Sequence, residues 1–407
     1  AIVEQEVPVE ALLVDLRHNV TQRAIKQWTL PAIFRVDHSL IALQELARWW
    51  RGHLRDLRVI GITGSVGKSS TKELIATVLE RDFTVLKSEG NLNNEIGLPL
   101  TLLQLDAQQR AVLEMGTYAR GEIARLAELA RPSVGVITNV GPVHLERLGS
   151  IEAIAAAKAE LVQALPPEGV AILNYDDARV RAMRDQTRAQ VLTYGLDPQA
   201  DLWADEIASE GLEGIHFTLH YRGEEFHVQV PLLGRHSVHT SLRAAAVGLA
   251  EGMIWDHILE GLQDRRAQLR LVAVPGPNGA TILDDSYNAS PASVIAALNL
   301  LAELGGRKVA VLGDMLELGE YEDEGHRMVG LRAIDAADVL VTVGELGRTI
   351  AQEALSNGMA QDRVKMCATN DEAVAYLETM VQPGDMVLIK GSHGLHMEEI
   401  VNALVRG

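Results

Sequence analysis

Cysteine is almost missing from this chain: Cys367 is the single one in 407 residues. No internal disulfide can form, so a reducing, cytoplasmic setting is expected. Basic charge is also short. Lys and Arg number 37 against 55 Asp and Glu, a formal net charge of −18, which argues against a nucleic-acid partner. Long apolar runs are lacking too. None approaches the ~20 residues of a membrane-spanning helix, and no signal-peptide pattern opens the given sequence. Internal repeats and low-complexity tracts do not occur. What remains is 47% hydrophobic and 23% charged, the balance of a packed globular protein. The length favours about two to three domains.

The most informative stretch runs from Val59 to Lys72, VIGITGSVGKSSTK. A short β-branched run ends in Thr63, Gly64, Ser65, Val66, Gly67, Lys68 and Ser69, and the helix-forming segment TKELIATVLER follows at once. Glycines let such a backbone curl so that successive N–H groups converge on phosphate oxygens. The helix N-terminus adds positive potential, Lys68 reaches the terminal phosphates, and Ser69 can hold Mg²⁺. Strict Walker spacing would place a glycine at Ile62, whereas here it stands at Gly61. An ordinary Gly-rich turn shares this composition, but strand, loop and helix in the right order predict a nucleoside-triphosphate site. In so acidic a chain, Lys68 and metal ions must work against the overall field.

Three blocks follow along the chain. Residues 1–56 hold a probable-strand pattern, AIFRV from Ala32, and the amphipathic helix SLIALQELARWWRGHL; they read as a partial N-terminal domain. Residues 57–265 alternate VIGITG, FTVLKS, AVLEMG, VGVITNV and GVAILN with helices, the pattern of a doubly wound, mostly parallel α/β sheet. From Ala200 to Leu233 the period changes to two, with Arg222-Gly223 marking a hairpin, so an antiparallel edge is expected on the same sheet. The Pro/Gly run VPGPNGA marks a boundary or a turn. In residues 266–407, ATILDDSY, KVAVLGDM, VLVTVG, VKMCAT and MVLIKGS are each followed by a helix, which predicts a Rossmann-like C-terminal domain.

Polar residues at strand ends are the places where open α/β sheets bind ligands. Glu114 closes AVLEMG and could ligate Mg²⁺ beside the phosphate loop; taken alone, a strand-end glutamate is more often a solvated charge or a helix cap. His144 follows VGVITNVGPV just past another strand, where a lone histidine can be structural or a metal ligand. Lys158 lies in IEAIAAAKAELVQAL on one stripe with Ile154, Leu161 and Leu165. Its two readings are a side chain snorkelling to the surface and a desolvated amine of lowered pKa, able to take up CO₂ as a carbamate.

Together these runs resemble the Mur ligases, ATP-dependent amide-forming enzymes of peptidoglycan precursor synthesis. GITGSVGKSSTKE, NNEIGLPLTLL, LEMG, GPVHLERLGS, IAAAKAEL, LLGRHSVH, DDSYNASPASV, GDMLELGEYEDEGHRMVG and VLIKGSHGLHMEEIV carry the resemblance, from about residue 57 onward. NNEIG, DDSYNASP and GDMLELG are similar to the members that join D-alanyl-D-alanine to a UDP-MurNAc-tripeptide. The resemblance implies ATP and Mg²⁺ as cofactors and an acyl phosphate as intermediate. It implies that Thr63 to Ser69 cradle phosphates and that Ser69 with Glu114 holds one Mg²⁺. A second ion would fall to His144 and a carbamylated Lys158. Lys68, Lys158 and His144 are then the catalytic set, and His236, Tyr287 and Asn288 contact the nucleotide. Asp285 and the run Lys390-Gly391-Ser392 fall on loops facing the cleft.

Some positions depart from the family pattern. The phosphate loop reads Ser-Val-Gly-Lys-Ser where Thr-Asn-Gly-Lys-Thr is usual, and Ser237 and Thr240 replace two asparagines of the adenine motif. The family's Asp-Ser-Arg motif for the UDP moiety has no counterpart before Ala1, so the first block is expected to be a truncated domain. A monomer is expected. Another Mur-superfamily amide ligase, such as a folylpolyglutamate synthase, and a non-catalytic nucleotide-binding scaffold are the alternatives.

Overall fold

A computed structural model describes residues 2–4, 34–143, 145–264 and 271–406. Runs of β-branched residues form its central strands, and those of the phosphate-loop region are buried on both faces. They therefore read as continuous apolar stretches. Strands β1 (Ile2–Glu4) and β2 (Phe34–Val36) pair in parallel as a small sheet of their own.

The large sheet comprises β3 (Arg58–Thr63), β4 (Val85–Lys87), β5 (Arg110–Glu114), β6 (Val134–Ile137), β7 (Val170–Asn174), β8 (Gln190–Gly195), β9 (Leu202–Ser209), β10 (Ile215–Tyr221) and β11 (Glu224–Val230). Their order across the sheet is β11-β10-β9-β8-β7-β6-β3-β5-β4. Neighbours from β4 to β9 run parallel, and β9, β10 and β11 form the antiparallel extension expected from the two-residue period. The hairpin turns at Arg222 and Gly223, where φ is 51° and 84°. Strand β3 sits where the order reverses, with β5 on one side and β6 on the other. In an open α/β sheet that reversal opens a crevice at the carboxyl ends of the strands. The phosphate loop leaves β3 at that point.

Alternation along β3 feeds two cores. Ile60 and Ile62 pack with Leu74, Ile75 and Val78 of the helix Lys68–Leu79 and with Leu242 and Ala245 of the helix Ser237–Ala250. Val59, on the other face, joins Leu113, Ile123, Leu126 and Leu161 from strand β5 and the helices Glu122–Ala130 and Ile151–Gln163. Each fully buried Leu or Ile contributes ~1.5–3 kcal/mol over its exposed form. Gly61 lets the second layer approach closely: a β-carbon there would stand 3.0 Å from Leu161 Cδ1 and 3.2 Å from Met115 Cε.

The third sheet holds β12 (Val272–Pro275), β13 (Thr281–Asp284), β14 (Lys308–Gly313), β15 (Val339–Val343), β16 (Val364–Cys367) and β17 (Met386–Lys390), in the order β12-β13-β17-β14-β15-β16. All neighbours are parallel except β12 and β13. The Pro/Gly run VPGPNGA is the turn of that antiparallel pair, with Gly276 N–H donating to Ala280 O at 2.8 Å. Strands β1, β8 and β12 are additions to the sequence reading. Among the described residues no helix is long and apolar enough to cross a membrane.

Candidate active site

The phosphate loop is braced from the strand beside it. Ser65 N–H donates to Asn139 O at 3.0 Å, and Val66 N–H donates to Asn139 Oδ1 at 2.9 Å. Thr138 Oγ1 donates to Val66 O at 2.7 Å, and the Ser65 hydroxyl exchanges hydrogen bonds with Gly141. Asn139, in the turn after β6, therefore fixes the outer half of the loop. The inner half stays open. Gly67 takes φ 84°, a left-handed turn that suits glycine, and caps the helix Lys68–Leu79 without any side-chain cap. The first-turn amides of that helix have no intrahelical partners, which is the arrangement that receives a phosphate. Lys68 Nζ curls over the loop and donates to Gly64 O at 2.8 Å.

Strand register brings the acidic partner. Glu114 pairs opposite Ile62, one residue before the loop begins. Its carboxylate is 3% exposed; Oε2 accepts from Ser69 Oγ at 2.8 Å and Oε1 from Asn93 Nδ2 at 2.9 Å. The sequence reading thus gains a physical junction: Ser69 and Glu114 touch. Among the described residues, no three His, Cys, Asp or Glu side chains converge as a metal site. A hydroxyl beside a carboxylate at the mouth of a phosphate loop is a hard-oxygen donor set, which fits Mg²⁺ sharing its shell with phosphate and water.

Lys158 does not snorkel. It is 3% exposed, on the stripe with Ile154 and Leu161. Burial first, and the Lys68 ammonium second, hold its pKa well below the ordinary lysine value. The close approach at Gly61 brings its helix onto β3, and Thr63 shares Gly61's face of that strand. Thr63 Oγ1 is buried without a hydrogen-bond partner among the described residues. His144 lies outside the described residues.

The remaining candidates belong to the third-sheet unit or to the turn facing it. Lys390 is 2% exposed and donates to Asp285 Oδ2 at 2.6 Å and to Asn288 O at 2.8 Å. Ser392 ties this cluster to the GDML loop, since its hydroxyl accepts from Leu316 N–H at 2.9 Å and its N–H donates to Asp314 O at 3.0 Å. The Tyr287 ring lies 5.4 Å from that of His393, while Asn288 Oδ1 accepts from its neighbour's Ala289 N–H. Tyr287 and Asn288 are thus gathered around Lys390, not on the phosphate loop. Across the crevice, His236 is accessible to solvent yet crowded by protein. That crowding lowers its pKa, and Asp285 pulls the other way. The two units also meet where a β-carbon on Gly319 would come within 2.9 Å of Glu146 N.

Sequence reasoning missed Asn139, Asn93 and Arg243. Asn139 follows the end of β6 and could have been found by that signal, whereas Asn93 lies in the loop between β4 and the helix Gly97–Leu102. Arg243 sits inside a helix with 4% exposure, where an arginine gives no sequence signal of burial.

Residues 62–248 match the Mur ligase middle domain, and residues 266–393 match the Mur ligase glutamate ligase domain. The UDP-N-acetylmuramoyl-tripeptide–D-alanyl-D-alanine ligase of Bacillus subtilis is 39% identical over 381 residues, covering 92% of this chain and 81% of that protein. The crystal structure of MurF from Acinetobacter baumannii superposes with a TM-score of 0.84 at 31% identity, covering 100% of this chain and 90% of that one. MurF ligase from Thermotoga maritima in complex with ADP gives 0.82 at 28% identity, covering 94% and 87%.

Proposed function

The chain belongs to the Mur ligase family, and from that premise we propose how its own residues carry out the reaction. It is an ATP-dependent ligase of peptidoglycan precursor synthesis that joins D-alanyl-D-alanine to UDP-MurNAc-tripeptide. The observation that carries the site assignment is the contact of Ser69 with Glu114 at the mouth of the phosphate loop.

The reaction has two stages. A carboxylate oxygen of the tripeptide bonds to the γ-phosphorus of ATP while the bond to the departing ADP breaks, leaving an acyl phosphate. The D-alanyl-D-alanine amine then attacks the acyl carbon, loses a proton, and the tetrahedral intermediate expels phosphate. Negative charge on the transferring group is what the protein must offset. Lys68, with the open amides of the helix Lys68–Leu79, supplies that offset from the loop side. Mg²⁺ held by Ser69 and Glu114 supplies further positive charge when bound.

Lys158 is assigned as the modified lysine. Its lowered pKa makes the free amine available. Nζ bonds to the carbon of CO₂ and releases a proton, which replaces a buried neutral amine by an anion beside Lys68. With His144, that carbamate is the proposed holder of a second Mg²⁺. His236, Tyr287 and Asn288 are assigned to the nucleotide. Residues 57–265 form the ATP-binding domain and 266–407 the ligase domain in this reading, with 1–56 the remainder of a UDP-substrate domain.

Phosphate release in the presence of ATP and UDP-MurNAc-tripeptide tests the reading. Release that depends on D-alanyl-D-alanine and yields the elongated peptide is the expected result. Activity with glutamate in its place, or none with any amine, would overturn it.

A further inference from the structure

Beneath the phosphate loop lies a cation that the proposed chemistry does not use. Arg243 projects from the helix Ser237–Ala250 and is 4% exposed. Its side chain leans toward the helix N-terminus, the direction helical side chains take. Nε donates to His239 O at 2.9 Å, and Nη2 donates to Thr240 Oγ1 at 3.0 Å. The guanidinium carbon lies 5.8 Å from the Tyr194 ring centroid. The Tyr194 hydroxyl in turn donates to Ile137 O and Thr138 O, both at 3.1 Å, where β6 runs into the turn that braces the loop.

The far end of the fork reaches the loop itself. A β-carbon on Gly67 would stand 3.5 Å from Nη1 and 3.6 Å from Nη2. The guanidinium is therefore packed against the backbone that opens the helix Lys68–Leu79. No carboxylate among the described residues pairs with it; burial and the Tyr194 phenol are what act on its charge. A guanidinium cannot shed its proton in a protein, so a buried one without a counter-ion is held at a cost. The anion that would offset it is the polyphosphate received by the adjoining loop.

We propose that Arg243 is a positioning residue for the nucleotide, joining the Gly67 end of the phosphate loop to the Thr240 turn and placing its charge beneath the bound diphosphate. The inference rests on the nucleotide reading of the loop and goes beyond it. Arg243 acts through Gly67 and Thr240, so its effect scales with the phosphates of the ligand and not with the base.

Calorimetric titration of the full chain with ADP and with adenosine tests this, using Arg243→Met alongside the unaltered protein. ADP affinity is expected to fall about tenfold or more, the scale of one lost charge-assisted contact, while adenosine affinity changes less than about twofold. The ligand-free melting temperature is expected to hold or rise, because an uncompensated buried charge has gone. Equal losses for both ligands, or an ADP affinity within about twofold of the unaltered protein, would overturn the proposal. Should Arg243→Met fail to fold, Arg243→Gln retains a donor for Thr240, and the same comparison decides. Absence of ADP binding by the unaltered protein would instead overturn the nucleotide reading itself.

Discussion

Lys68, Lys158 and Arg243 are three basic side chains gathered at one loop of a chain whose formal net charge is −18. Each is held differently, and each predicts a different loss. Lys68 is bonded to the loop it serves. Lys68→Ala should leave the circular dichroism spectrum unchanged and lower turnover by roughly 3 kcal/mol or more, over a hundredfold. A folded variant with near-normal ligation would refute the assignment. Lys158 is buried and repelled by Lys68. Lys158→Ala should lose most activity, a small carboxylate such as acetate should partly restore it, and removing CO₂ and bicarbonate should slow the unaltered enzyme. An active, metal-loaded crystal showing a plain amine there would end the carbamate proposal. Lys158 also has a pH signature. Between its depressed folded pKa and the unfolded value of about 10.4, the unfolded chain binds more protons. Stability in CO₂-free buffer should therefore rise with pH across that window, and Lys158→Met should flatten the slope measured by urea unfolding. The stripe around Lys158 was legible from three- and four-residue spacing. Its near-complete burial beside Lys68 was not, because spacing reveals which face a side chain takes and not what stands opposite.

Among the elements, strand β3 and the helix Ile151–Gln163 form the joint that sets the site's dimensions. Gly61 on β3 and Gly135 on β6 make the floor on which Leu161 rests, with Leu161 atoms 3.0 Å and 3.3 Å from where their β-carbons would be. Gly61→Val should lift that helix and carry Lys158 away with it. An expected stability loss of about 1–3 kcal/mol, as for other overpacked cores, is measurable by urea denaturation. Activity should fall further than stability alone explains; a destabilised variant with unchanged kcat at low temperature would show that the helix position is not coupled to catalysis. The helices and most strands were legible because their periods are clean. Strand β8 escaped notice because Gln190 and Thr193 interrupt the apolar residues of QVLTYG, and its first residue is exposed, so it shows neither alternation nor an unbroken apolar run. Strand β12 ends in Pro275 and is largely exposed, which hid it among turn signals. Their partners, β7 and β13, lie elsewhere in sequence or across a turn, and pairing is what makes them strands.

Across the whole molecule, the large-sheet unit and the third-sheet unit meet at Gly234 and Leu300, where a β-carbon on the glycine would stand 3.6 Å from Leu300 Cβ, and at Gly319 and Glu146. Neither contact was readable from sequence, since no local pattern encodes how two domains face each other. Rigid-body closure of the C-terminal unit over a bound nucleotide should compact the protein. Small-angle scattering with an ATP analogue and UDP-MurNAc-tripeptide should show a smaller radius of gyration, and an unchanged radius at saturation would count against closure. The strand order of the third sheet has a bearing on how the protein is made. Met386–Lys390 is the sheet's last strand to be synthesised, yet it lies between β13 and β14. Until it arrives, β13 and β14 present unpaired inner edges to everything around them, and such edges recruit other chains. On the ribosome, this half of the enzyme therefore waits on its final strand. A nascent chain stalled before Met386 should remain protease-sensitive and bound by chaperones, however completely its phosphate loop has already folded.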